Sequence, residues 1–128
     1  QLLYGDLSKI NSDKKFIPPF LFGFDNIEQM GKSELAAAEI FGPVLYLCPY
    51  DKIEEAVNYI NSREKPLSAY LFTRDNKIKE YVRDNTSSGA LDINDTLVHF
   101  SSPLLPFGGV GNSALGSSII NSTEAIEH

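Results

Sequence analysis

Between residues 44 and 93 short β-prone apolar runs alternate with amphipathic helical stretches, and no other feature of the sequence limits its fold as much. Residues 44–48 (VLYLC) stand between Pro43 and Pro49 and have the composition of a parallel strand buried on both faces. Asp51 can cap a helix, and Glu54 follows three residues later as in a capping box. Ile53, Val57 and Ile60 then recur at spacings of four and three, so residues 51–62 are predicted as an amphipathic helix. Residues 67–72 (LSAYLF) read as the next strand. Asp75 opens a second helix whose Ile78, Tyr81 and Val82 share a face, ending near Thr86. Residues 90–93 (ALDI) form a further short extended piece. This order predicts right-handed crossovers and an α/β fold, a parallel sheet with flanking helices.

The flanks are less regular. Residues 1–15 are polar and read as a surface loop, and residues 16–24 (FIPPFLFGF) are extended because Pro18 and Pro19 forbid helix. Residues 33–40 (SELAAAEI) are good helix formers, but Gly42 and Pro43 stop any helix there. Residues 97–100 (LVHF) read as extended, and a glycine-rich stretch follows Ser101.

Composition narrows the classes of function. With 128 residues, 42% apolar and 22% charged, the chain has the balance of one soluble globular domain. Seventeen acidic against eleven basic residues leave a net charge of -6, the wrong sign for tracking nucleic acid or an anionic membrane. The single cysteine cannot form an internal disulfide, and no Cys/His spacing suits a metal, so a reducing, cytoplasmic location is expected. No apolar run approaches the ~20 residues of a membrane span. Gln1 at the start, with no signal-peptide pattern after it, predicts a processed chain or a fragment.

Few residues could carry chemistry. Cys48 falls in the buried-strand pattern with no His or basic residue near it in sequence, the setting of a core thiol rather than a nucleophile. His99, at an apparent strand end, reads as a packed or solvated histidine, and neither it nor His128 fits a hydrolase triad. The loop LPFGGVGNSALG superficially resembles phosphate-binding loops, but no Gly-Lys-Ser/Thr follows, so its glycines suggest a tight loop approached closely by another segment. Asn94 and Asp95 could be a turn pair that bonds its own backbone. In AEIFGPVL a carboxylate, an aromatic and a Gly-Pro break directly precede a strand, where α/β sites are often built. Glu39 could equally be a surface acid and Phe41 a core ring.

Taken together, AEIFGPV (38–44), YINSREKPLSAYLF (59–72), SSGALDIND (87–95), His99 and LPFGGVGNSALG (105–116) resemble the C-terminal third of the aldehyde dehydrogenase superfamily. INSREKPL and LPFGGVGNS most resemble its class 3 and fatty aldehyde dehydrogenase branch. The resemblance runs in register from about Tyr4 to Gly116. It implies that residues 1–128 are a single partial domain, the C-terminal portion of the catalytic domain, with residues 117–128 a divergent or disordered tail.

The implied activity is oxidation of an aldehyde to a carboxylate with NAD or NADP, through a cysteine thioester that a glutamate-activated water hydrolyses. Glu39 matches the acid that accepts hydrogen bonds from the nicotinamide ribose, and Phe41 matches the aromatic that packs against the nicotinamide end. Phe107 matches a residue lining the active-site mouth, and Asn94 an asparagine that supports the active-site loops. The nucleophile and general base lie upstream in the family, Cys48 does not align with either, and the chain alone is expected to be inactive. A homodimer is implied. Ala38, Ala90 and Ala114 depart from the family pattern, as does the tail. Those departures motivate an alternative: a truncated or diverged paralogue serving as a non-catalytic interaction or structural module.

Overall fold

The computed structural model describes residues 1–101 and 108–114. The chain divides into two compact units, the first ending at Glu55 and the second beginning at Ala56.

The first unit is built on a three-stranded sheet in the order β1 (Leu2–Tyr4), β2 (Phe20–Gly23), β3 (Val44–Leu47). Strands β2 and β3 run parallel, with Phe20 opposite Val44 and Gly23 opposite Leu47, whereas β1 is antiparallel to β2. The polar opening is therefore not wholly a loop. Its apolar Leu2 and Leu3 add an edge strand before Asp6 starts a single 3-10 turn. Helix α1 (Ile27–Gly31) has Asn26 as its cap, accepting from the Gln29 backbone N–H at 2.8 Å, while Gln29 Oε1 accepts from the Asp25 N–H at 2.7 Å. Residues 33–40 form only one 3-10 turn, Glu34–Ala36.

Strand β3 corrects the expectation of burial on both faces. Val44 and Tyr46 are half-buried, but Leu45 and Leu47, on the opposite face, are 60% and 48% exposed. Among the described residues that second face is left about half open. Cys48 falls just past the strand and is half-buried.

Helix α2 (Ile53–Asn61) lies inside the predicted span and buries Val57. Its entry differs from the expected capping box. Glu55, not Glu54, reaches back to the Asp51 N–H, at 3.4 Å, because the helix begins two residues after Asp51.

The second unit holds β4 (Ser68–Leu71), α3 (Asn76–Asn85) and β5 (Ala90–Ile93), with β4 and β5 paired in parallel as the pattern predicts. Asp75 caps α3 by accepting from the Lys77 N–H at 2.8 Å, and Thr86 closes it against the Val82 carbonyl. Val82 is buried, and Ile78 and Tyr81 beside it are half-buried. The α/β fold with parallel strand pairing is as expected, with β3 and β4 in different sheets among the described residues. Residues 97–100 are not extended: α4 (Val98–Ser101) is a helical turn that buries His99.

Candidate functional site

Glu39 and Phe41 lie on the irregular arm that leads into β3. The arm is anchored behind them, because the Phe20 N–H donates to the Pro43 carbonyl at 2.9 Å and the Val44 N–H to the Gly42 carbonyl at 2.8 Å. Phe41 has φ 48° and is 93% exposed. A left-handed φ on an aromatic residue is strained, and here it holds a large ring in solvent with no described residue covering it. Phe41 is thus not a core ring. Glu39 is also exposed, and no described residue pairs with its carboxylate, so its lone pairs stay available to hydroxyl donors. The arm therefore carries one anionic acceptor and one apolar plate, a fit for the polar ribose and flat base of a dinucleotide.

Asn94 lies in the second unit at the end of β5, with φ 60°. Its side chain does not bond its own turn. Oδ1 accepts from the Thr73 N–H at 2.8 Å, and the Asn94 N–H donates to the Leu71 carbonyl, also at 2.8 Å. Thr73 Oγ1 in turn accepts from the Asp75 N–H at 3.2 Å, so the side chain of Asn94 is the first link in a chain that reaches the start of α3. Asp95 does bond locally, accepting from the Thr96 N–H.

Phe107 lies outside the described residues, and the glycine loop just after it, residues 108–114, packs closely. A Cβ on Gly89 would come within 2.5 Å of both the Gly108 and Leu67 carbonyl oxygens, and one on Gly109 would collide with the backbone of Ser113. The loop is closed by Ser113, whose Oγ accepts from the Val110 N–H at 3.0 Å and donates to the Val110 carbonyl at 2.8 Å. This is the close approach that the glycines suggest.

Burial pushes the Cys48 thiol up from its ordinary pKa, and its nearest polar contact is the Pro49 carbonyl at 3.5 Å. That setting favours the unreactive thiol over the thiolate. No group of three or more His, Cys, Asp or Glu among the described residues could hold a metal ion, and no described helix is long and apolar enough to cross a membrane.

Sequence reasoning did not single out Asp92. It is buried and lies 2.7 Å from His99 Nδ1, and the only sequence signal was a carboxylate inside a strand-like run.

Comparison with known proteins matches residues 1–128 to the sequence model of the aldehyde dehydrogenase family. The chain is 52% identical over 85 residues to "Aldehyde dehydrogenase family 3 comG" of Dictyostelium discoideum, covering 66% of this chain and 18% of that protein. It is 45% identical over 86 residues to "Aldehyde dehydrogenase, dimeric NADP-preferring" of Rattus norvegicus, covering 67% of this chain and 19% of that one. The solved structure of Staphylococcus aureus AldH in a substrate-bound state superposes with a TM-score of 0.80 at 38% identity, over 90% of this chain and 24% of that chain. The chain thus spans about a fifth of the length of these curated relatives.

Proposed function

This chain belongs to the aldehyde dehydrogenase family, and from that premise we propose that it is the C-terminal portion of the catalytic domain of an enzyme oxidising aldehydes to carboxylates. The observation that carries the reading is the exposed Glu39–Phe41 arm ahead of β3, which presents an anionic acceptor and an aromatic plate with no described partner of their own. Glu39 accepts hydrogen bonds from the ribose hydroxyls of NAD or NADP, and charge-assisted bonds of this kind are roughly twice as strong as neutral ones. Phe41 packs against the nicotinamide end and limits its movement. The dinucleotide, when bound, supplies the hydride acceptor.

Asn94 and Phe107 are the proposed active-site lining residues of the second unit. Asn94 holds the ends of β4 and β5 together, and Phe107 lines the entrance. Gly89 and Gly109 let the loop after Phe107 pack without side chains in the way. Cys48, held as a thiol, takes no part. The nucleophile and the general base come from upstream of this chain, so the 128 residues alone are inactive. The working protein is a cytoplasmic homodimer acting on a small-molecule aldehyde, and the dimeric rat relative supports that state.

The test is the full-length parent protein, titrated with aldehydes of increasing chain length in the presence of NAD or NADP. The expected result is aldehyde-dependent reduction of one or both cofactors, with Glu39→Gln raising the cofactor KM. A parent that reduces neither cofactor would overturn the reading in favour of a non-catalytic module.

A further inference from the structure

We propose that the buried Asp92–His99 pair is a latch on the corner between β5 and α4, and that both are positioning residues acting through Asn94. The functional half of this proposal rests on the reading above, while the latch itself stands on the geometry of the corner.

Asp92 is the third residue of β5 and 6% exposed, and His99, in α4, is 4% exposed. Aspartate is depleted in strands, and a carboxylate out of water is costly unless a donor meets it. His99 supplies that donor: Nδ1 lies 2.7 Å from Asp92 Oδ2. The carboxylate therefore selects the Nδ1–H form of the ring and fixes its orientation. Two rings hold the imidazole in place, Phe100 from α4 with centroids 4.3 Å apart and Tyr70 from β4 at 6.2 Å.

Between the two partners the chain turns a strained corner. Asn94 has φ 60° and Leu97 φ 63°, so two of the four residues 94–97 are non-glycine residues in the left-handed region. Asparagine tolerates that conformation, but leucine does not, and Leu97 is exposed, so no burial offsets its strain. Such backbone persists only where its flanks over-determine it. The flanks here are β5 on one side and α4 on the other, and the Asp92–His99 bond joins them.

The corner matters because Asn94 is part of it. With the corner closed, Asn94 Oδ1 meets the Thr73 N–H, and Thr73 in turn meets the Asp75 N–H at the start of α3. Breaking the latch lets the strained corner relax, turns Asn94 and frees the Thr73 N–H.

The experiment uses the full-length parent enzyme and reads amide hydrogen exchange at Thr73. Asp92→Ala is expected to speed that exchange about tenfold, the size of one lost hydrogen-bonded contact, while Asp92→Asn, which keeps an acceptor, retains most of the protection. Leu97→Asn, which accepts the left-handed φ, is expected to slow exchange by itself and to restore protection in the Asp92→Ala background. Because Leu97→Asn leaves the buried pair intact, it tests the coupling of the strained corner to Thr73 even if Asp92→Ala does not fold. Thr73 exchange unchanged in folded Asp92→Ala, or not slowed by Leu97→Asn, would overturn the latch. For the functional half, kcat is expected to fall in Asp92→Ala and recover with Leu97→Asn while the cofactor KM holds. Altered exchange at constant kcat would overturn the positioning role. A latch that responds as expected in a parent that turns over no aldehyde would overturn the functional reading and leave the latch standing.

Discussion

Asn112 Nδ2 donates to Glu64 Oε1 at 2.8 Å, joining the glycine loop to the turn that follows α2 across 48 positions of sequence. These residues belong to the two stretches, INSREKPL and LPFGGVGNS, that carry the resemblance to one branch of the family. A Cβ built on Gly111 would lie 3.9 Å from Lys65 Cδ, so the loop and the turn approach each other there as well.

Removing that link should loosen the loop without unfolding the protein. The bond is exposed, so Glu64→Ala is expected to cost no more than about 1 kcal/mol of global stability, with faster backbone exchange confined to residues 108–114. Thermal melting beside hydrogen exchange checks both parts. A large loss of melting temperature would mean that Glu64 supports more than the loop.

The two glycines 89 and 42 should differ sharply in their response to alanine. At Gly89 the added methyl meets two carbonyl oxygens at 2.5 Å, backbone atoms that cannot swing aside, and the expected cost is roughly 2–4 kcal/mol. At Gly42 the nearest atom is the Ile40 carbonyl oxygen at 3.7 Å, so Gly42→Ala should stay within about 1 kcal/mol of wild type. Denaturant unfolding of both variants in the full-length protein compares them directly.

Glu39→Gln should separate binding from stability. The carboxylate is exposed and unpaired among the described residues, so the melting temperature should not move, while loss of a charged acceptor for ribose should weaken cofactor binding by about 1.5–3 kcal/mol. Calorimetric titration of NAD and NADP into wild type and variant measures the difference. Unchanged affinity would remove Glu39 from the cofactor site.

Cys48 should be slow to alkylate in the folded protein and faster once the chain is unfolded in urea at the same pH, because burial disfavours its thiolate. The linkage has a definite sign. A folded-state thiol pKa raised above the unfolded one contributes stability in full below the ordinary value of 9.0, and that contribution is lost as pH rises past it toward the folded value. Cys48→Ala should flatten that alkaline decline in a pH series of unfolding free energies.

Sequence alone determined the elements whose signals are local. The period of Ile53, Val57 and Ile60, the Asp75 cap and the apolar runs at 67–72 and 90–93 each fall within a few residues of what they specify, and α2, α3, β4 and β5 appear where those signals lie. The need for a close approach at the glycine loop was legible for the same reason. Asn26 and Gln29, spaced as a helix-start pair, were a local signal that went unread.

Tertiary structure decided what depends on partners far along the chain. β1 exists because β2 offers it an edge, and β3 is one-sided because the described residues leave Leu45 and Leu47 about half open. Residues 98–101 coil into a helical turn, against their strand-like composition, because the left-handed corner and the Asp92 carboxylate bring His99 inward. Asn94 passes over its own turn for Thr73, twenty-one residues away in sequence, because the parallel pairing of β4 and β5 sets those two strand ends side by side. A single pass along a sequence reads periodicity and caps. It cannot read which buried polar group will meet which, because that pairing comes into being only when the strands do.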